Sequence, residues 1–336
     1  MHLLALVEGP GHVCCRYRLE AFRPHLERAG HGLRLQPLPR SWWARWRLFR
    51  ELRGADVLVQ RFLLPRWQLA SLRSSARRLL FDLDDAVFLR DSYSPKGLHS
   101  PRRLRRFAST VRACDAVLAG NRFLLDYAAR WAGVHRTHLL PTCVDPTRYP
   151  LAEHSCVGDV QLVWVGSSST LRGLAQIAPL LEQLGLQLPG LRLKLVCDRF
   201  LSFRHLPVVP CPWDESTETG AIAGADVGLS WLPNDDWSRG KCGLKVLQYL
   251  AAGLPVVANP VGVHLEMVRH GQTGYLADTP DQWVEAVRRL ARDPALRRRM
   301  GRAGRTLVEA EYGVAGGAAR WLGVLETLQP PLAQAG

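Results

Sequence analysis

The stretch Gly240-Lys241-Cys242-Gly243-Leu244-Lys245-Val246-Leu247-Gln248-Tyr249-Leu250-Ala251-Ala252-Gly253-Leu254-Pro255-Val256-Val257 reads as a loop, a helix, a sharp stop and a buried strand. Leu244, Leu247, Leu250 and Ala251 recur at helical spacing. Gly253 suits a left-handed cap, and Pro255 blocks continuation of the helix. The apolar run from Pro255 to Ala258 suits a strand covered on both faces. A glycine-containing loop that opens a helix presents backbone N–H groups and the positive end of the helix dipole. Lys241 and Lys245 flank that start. The chain has only four lysines, at 96, 194, 241 and 245, among 44 basic residues, so two within five positions stand out. The pair reads either as a diphosphate seat or as solvated lysines at a helix start.

Upstream, Val160–Val165 predicts a strand, followed by Gly166-Ser167-Ser168-Ser169-Thr170 and a helix from Leu171 to Leu184. Ser168 and its neighbours either donate to phosphate or cap that helix. Arg172 reads as a second anion clamp or as a surface arginine. Further strands are expected at Leu191–Cys197, Val208–Cys211, Asp226–Leu232 and Thr273–Ala277. Helices are expected at 217–225, 264–270, 281–291, 295–309 and 314–328.

The first half repeats the alternation. Strands are predicted at His2–Val7, His31–Leu38, Ala55–Gln60, Leu79–Phe81 and Ala116–Ala119, with a closing segment at His138–Pro141. Helices are predicted at 16–29, 41–50, 101–112 and 122–133. Gly9 and Gly11 sit in the loop after the first strand. Alternation twice over implies α/β architecture, with two Rossmann-like domains facing a cleft. The expected domains are 1–147 and 148–312, with 313–336 as a closing helix and the polar, proline-containing run 144–158 as the linker.

Charge separates the halves. Residues 1–150 carry 26 Lys and Arg against 12 Asp and Glu, and residues 151–336 carry 18 against 18, so the whole net charge of +14 lies in the first half. That imbalance predicts an anionic partner for the first domain: a lipid surface, an acidic glycan or a nucleic acid. Trp42, Trp43 and Trp46 interleave with Arg45, Arg47 and Arg50. This mixture suits a membrane headgroup zone, or packing against the domain's own core. Without a recognisable nucleic-acid module, nucleic acid is not the expected partner. Asp82-Leu83-Asp84-Asp85 at a strand end reads as a divalent-metal site or as the lining of a metal-free ligand crevice, and the second is favoured.

The eight cysteines form no Cys-x-x-Cys pair and no zinc spacing with histidine, so buried free thiols are expected. No apolar run reaches the ~18 residues of a membrane span, and no charged segment precedes the first strand. A cytoplasmic location follows as the expectation, peripheral on the inner face of the membrane if the Trp–Arg stretch binds lipid.

Several elements in order now resemble a known family. They are Gly166-Ser167 after a first strand, Lys241, Lys245 and Gln248, then Ala251-x-Gly253-x-Pro255-Val256-Val257, Gly262-x-x-x-Glu266, Gly271-x-x-Gly274-Tyr275-Leu276, Met300-Gly301 and Arg305. Across about 160–312 they look like the carboxyl-terminal half of a GT-B glycosyltransferase of the family-4 type. Asp82-Leu83-Asp84-Asp85-Ala86 and Gly120-Asn121 match the first half more loosely. The resemblance implies a retaining transferase taking a sugar from a nucleotide-sugar co-substrate, without metal or other cofactor. The acceptor, a glycan or lipid-linked acceptor, would lie on the first domain, and the last helix would cross back to it. Lys241, Gly243, Leu244, Lys245, Gln248, Gly166, Ser168 and Arg172 are the implied donor contacts. Asp84, Asp85 and Lys245 are the implied catalytic groups, and Gly9, Gly11, Arg16 and Asn121 the acceptor side. One departure is plain: the family commonly has two glutamates eight apart, where this chain has Gly240 and Gln248. That departure supports a rival expectation, a non-catalytic nucleotide-sugar or glycan-binding protein.

Overall fold

A computed structural model describes residues 1–155 and 158–328. The chain forms two compact α/β units. The first takes Met1–Cys143, Asp235–Cys242 and the chain from Val314, and the second takes Val144–Asn234 and Gly243–Gly313. The chain therefore changes unit at Cys143, four residues before the expected boundary, and an eight-residue insert from the second half belongs to the first unit.

The first unit is built on six parallel strands: β1 (His2–Val7), β2 (Gly32–Pro37), β3 (Asp56–Gln60), β4 (Arg78–Leu83), β5 (Ala116–Ala119) and β6 (Thr137–Leu139). Their order is β2-β1-β3-β4-β5-β6. Strand order reverses between β1 and β3, so the ligand crevice of such a sheet lies outside the carboxyl ends of those strands. One face is covered by helices 42–51, 66–75, 101–113 and 122–132 through Phe49, Leu69, Leu72, Phe107, Val111 and Leu124. The other is covered by Cys15, Leu19, Phe22 and Leu26 together with Ala318, Trp321 and Leu325 of the last helix, Val314–Thr327. The closing helix thus completes the core of the first unit, while residues 329–336 of the expected terminal segment lie outside the described residues.

The second unit also has six parallel strands: β7 (Val160–Val165), β8 (Leu191–Cys197), β9 (Val208–Pro212), β10 (Val227–Ser230), β11 (Val256–Ala258) and β12 (Gly274–Leu276). The order β12-β11-β10-β7-β8-β9 reverses between β7 and β10. Leu162, Leu193, Leu229 and Val257 meet Leu174, Leu181, Trp283 and Val287 from the helices on one face.

Proline explains two departures from the expected elements. The helix expected over 16–29 is three pieces, Val13–Arg18, Glu20–Phe22 and Arg23–Arg28, with Pro24 in the first turn of the last. The helix expected over 171–184 is two, Ser168–Gln176 and Ala178–Gln187, with Pro179 opening the second. Proline has no N–H to give an interior turn but fits a helix start. Helix Arg66–Ser75 was not expected, because only Leu69 and Leu72 mark its buried side.

Candidate active site

The carboxyl ends of β3, β4 and β5 bring together groups that lie between Cys14 and Cys242 in the chain. Asp82 is fully buried and is held by Arg18, 1% exposed, with Nε 3.1 Å and Nη2 2.5 Å from Oδ1. Gln60 Nε2 donates to the other oxygen at 3.1 Å. Arg18 also donates to the Leu140 carbonyl. This closed pair fixes the end of β4 and leaves Asp82 no capacity for a ligand.

The next two carboxylates share a different cation. Arg61 Nε lies 3.2 Å from Asp84 Oδ1, and its Nη2 lies 2.9 Å from Asp85 Oδ2. Its Nη1 donates to Cys14 Sγ at 2.7 Å. Among the described residues Arg61 is the only non-glycine with positive φ, at 64°. Backbone held in a sparsely populated region is tolerated where surrounding contacts over-determine it, and such positions gather at functional sites. Burial, foremost, and the charges of Asp82 and Asp85 push the Asp84 carboxyl above the usual range, against the pull of Arg61. Burial and the nearby Asp84 likewise keep the Cys14 thiol protonated.

Segment 235–242 completes this cluster. Lys241 Nζ pairs with Asp85 Oδ2 at 2.9 Å and lies 4.4 Å from the centre of the Trp237 ring. Asn121 caps the following helix through its Oδ1, which accepts from Leu124 N at 2.8 Å. Its amide donates to the carbonyls of Arg239 and Lys241 at 3.1 and 2.9 Å. Ser92 Oγ donates to Asp235 at 3.1 Å, and Cys242 Sγ donates to the Asp84 carbonyl at 3.1 Å. Gly240 has a steric reason: a Cβ there would lie 2.6 Å from the Ala86 Cβ and 2.9 Å from its backbone nitrogen. Any side chain there would force Ala86 to shift, so Ala86 crowds the place the resemblance gives to a glutamate.

Of the expected site residues in the first unit, Asp84, Asp85, Asn121 and Lys241 therefore meet. Gly9 and Gly11 lie in the loop before helix Val13–Arg18, with open space where a Cβ would project. Arg16 lies over the Tyr17 ring at 5.3 Å. Arg18, Gln60 and Arg61 were missed. Position directly after a strand at the order reversal was the available signal for Arg61, but one arginine among 40 carries little weight in a sequence.

The remaining expected donor residues lie in the second unit, at the carboxyl end of β7 and the start of helix Leu244–Ala251. Ser167 caps helix Ser168–Gln176 in a reciprocal box with Thr170, and the Ser168 N–H donates to Asp198 at 2.6 Å. In the serine loop the capping residues are Ser167 and Thr170, and Ser168 is the first residue of the helix. Gly166 is required by contact, since a Cβ there would lie 2.4 Å from the Trp164 ring and 2.7 Å from Thr170 Oγ1. Arg172 is exposed. Gly243 opens its helix in the left-handed region at φ 65°, which admits glycine without strain. Leu244 begins the helix, and Lys245 Nζ lies 4.2 Å over the Trp164 ring. Gln248, expected to reach a ribose, is only 2% exposed.

Lys241 and Lys245 thus belong to different units, one beside Asp85 and the other over Trp164. Near Lys245, His264 is buried between Asn259 O and Ser230 Oγ, each at 2.8 Å. Burial, with Lys245 adding to it, lowers its pKa to about 4. Among the described residues no group of three or more His, Cys, Asp and Glu is arranged to hold a metal ion. Seven cysteines are free thiols, and Cys156 lies outside the described residues.

The model of the family described as glycosyl transferases group 1 matches residues 236–307. No curated protein sequence matches the chain. Among solved structures, sucrose-phosphate synthase from Thermosynechococcus elongatus superposes with a TM-score of 0.74 at 17% identity, covering 97% of this chain and 98% of that one. HepE from Anabaena, in complex with UDP and glucose, gives 0.71 at 14% identity over 97% and 100%. A mutant form of S. aureus TarM, in complex with fondaparinux, α-GlcNAc-glycerol and UDP, gives 0.63 at 10% identity over 83% and 58%. The fold is that of the GT-B glycosyltransferase structures: two units, each a six-stranded parallel sheet clothed by helices.

Proposed function

We propose that the protein is a glycosyltransferase that moves a sugar from a nucleotide sugar to a glycan or lipid-linked acceptor, with retention, without metal, in cell-envelope or polysaccharide assembly. The observation that carries this reading is the place of the family match. Residues 236–307 include both lysines, the left-handed glycine that opens the helix, and Gln248. HepE was captured with UDP-glucose, so UDP sugars are the donors to try first.

In this reading Lys245 and the N–H groups after Gly243 hold the diphosphate and stabilise the charge that grows as it leaves. Fixed charge and dipoles at the developing anion usually supply the largest part of catalysis. Gly166 lets the chain pass close to the donor, and Ser168 and Arg172 border it. With retention, the departing phosphate takes the acceptor proton, and Asp84 orients the acceptor hydroxyl. Arg61 and Lys241 hold the Asp84–Asp85 pair in place. The acidic run at the end of β4 is charge-balanced by Arg18, Arg61 and Lys241, which supports its metal-free reading.

The test is a thermal-shift screen of nucleoside diphosphates and nucleotide sugars, with and without EDTA, on wild type and Lys245→Ala, followed by sugar release and transfer assays. A ligand confined to the native state raises the melting temperature by mass action. The expected result is a shift with one nucleotide, insensitive to EDTA and lost in the variant, with turnover. Binding without release or transfer from any nucleotide sugar would establish the non-catalytic alternative, which the missing side chain at position 240 favours. No shift with any nucleotide would overturn both.

A further inference from the structure

The first unit carries a face that the proposed chemistry does not use. Trp42, Trp43 and Trp46 of helix Trp42–Glu51 and Trp67 of helix Arg66–Ser75 are 47%, 63%, 42% and 54% exposed. They form one chain of rings. Trp67 meets Trp42 edge-on at 6.1 Å, Trp42 stacks on Trp43 at 3.7 Å, and Trp43 meets Trp46 edge-on at 6.5 Å. The Arg50 guanidinium lies 4.7 Å over the Trp46 ring and ends the row. The core is served by other residues of these helices, Phe49, Leu69 and Leu72. Packing of these tryptophans into their own core is therefore not what holds them.

The helices that carry the row, and the helix beside them, are strongly basic. The two helices and the neighbouring helix Pro101–Ala113 cover the same face of the sheet and together contain ten arginines and one acidic residue, Glu51. Arg45 ties the first helix to the second, its Nε donating to the Pro39 carbonyl at 2.6 Å and its Nη1 to Gln68 at 3.2 Å. Arg66 Nε donates to Ser109 Oγ of the third helix at 3.4 Å. The four indoles are therefore displayed from a braced surface.

Resting on the glycosyltransferase reading, we propose that this face seats the protein on an anionic lipid bilayer, and that the acceptor is the lipid-linked kind presented there. Indole rings favour the interface between headgroups and acyl chains, and guanidinium groups meet the phosphates beside them. A contiguous aromatic patch rimmed by one sign of charge marks an interaction surface. The charge excess selects an anionic partner, and the apolar indole row selects one with an apolar layer beneath its charge. No helix among the described residues is long and apolar enough to cross a membrane.

The experiment is co-sedimentation of the full chain with vesicles of phosphatidylcholine alone or with half phosphatidylglycerol, at low and high salt, with brominated lipid as a quencher of tryptophan fluorescence. Variants are Trp43→Ser with Trp67→Ser, and Arg102→Glu with Arg105→Glu, each checked for unchanged melting temperature. Wild type is expected to bind only anionic vesicles, more weakly in salt, and to be quenched. The paired arginine reversal is expected to weaken binding about 25-fold or more, and the tryptophan pair about tenfold, with loss of quenching. Absence of vesicle binding at low salt would overturn the proposal. So would binding without quenching that the tryptophan changes leave intact and that a soluble polyuronate competes away, since the face would then serve an acidic polysaccharide. None of these readouts needs turnover, so failure of the transferase reading would appear separately, in the sugar-release assay.

Discussion

The carboxyl ends of the two sheets are furnished in opposite ways. In the first unit, Asp84, Asp85, Arg61 and Lys241 form a chain of ion pairs with N–O distances of 2.9 to 3.2 Å, buried enough to raise a carboxyl. In the second, the groups at the equivalent edge are Lys245 over an indole, a self-capped serine loop and a histidine kept neutral by burial. The family match falls on the second unit apart from its first few residues. The edge built from backbone and small residues is the one a sequence pattern recognises, and the edge built from long-range ion pairs is the one that must be seen folded.

The largest effect expected from that contrast is at Asp84. Asp84→Asn keeps the size of the side chain and removes its capacity to hold the acceptor hydroxyl as a carboxylate, and transfer should fall about 10²-fold, the cost of a misplaced reacting group. The raised pKa fixes the sign for stability. The unfolded state loses this proton first as pH rises, so ionised Asp84 costs the native state stability above its ordinary range. Melting temperature at neutral pH should therefore hold or rise in the variant. A variant that is active, or one that loses activity only by unfolding, would break the reading of the charged edge as functional.

The neutral edge makes the next prediction. His264 has a folded pKa of about 4 against an ordinary 6.5. The unfolded state takes up the proton first as pH falls, so stability is lost between about 6.5 and 4 and levels off below. The loss from this group is on the order of 3 kcal/mol. Melting against pH should show that slope, and His264→Gln should flatten it. A ring that titrates near 6.5 by NMR would show that the second edge is wetter than the buried geometry implies.

Much of the fold was legible in the sequence because parallel strands buried on both faces read as short apolar runs, and Gly243, Gly253 and Pro255 punctuate one helix cleanly. Helix breaks at Pro24 and Pro179 were less legible, because a proline also fits inside the first turn of a helix that continues. The site was legible by type at Asp84, Asp85 and the lysines, but not by assembly. Arg18 meets Asp82 across 64 positions and Lys241 meets Asp85 across 156, distances that no spacing rule spans. Residue 240 shows the same limit. A missing glutamate reads as lost chemistry in the sequence, whereas in the folded chain glycine is what the Ala86 contact permits. Gly240→Ala should cost about 1–3 kcal/mol by overpacking and loosen segment 235–242. Denaturant melts would measure the cost. An unchanged midpoint would mean that the segment has room and that the glycine calls for a chemical explanation after all.

The smallest effect is the most discriminating between the two edges. If Lys241 and Lys245 grip one diphosphate, as their spacing suggests, removing either disturbs the other's contact, and the double change falls short of the sum. If Lys241 serves Asp85, its loss leaves that buried carboxylate to Arg61 alone and costs stability rather than nucleotide affinity, and the lysines act on different ligands. The ion pair at 2.9 Å favours the second case. We therefore expect Lys245→Ala to weaken nucleoside-diphosphate binding about tenfold, as loss of a charge-assisted contact does, and Lys241→Ala to leave it nearly unchanged. Titration calorimetry on the two single variants and the double should give additive binding energies to within about 0.5 kcal/mol. A coupling well beyond that would return Lys241 to the donor, and Asp85 would then be a resting partner that the lysine leaves when the diphosphate arrives.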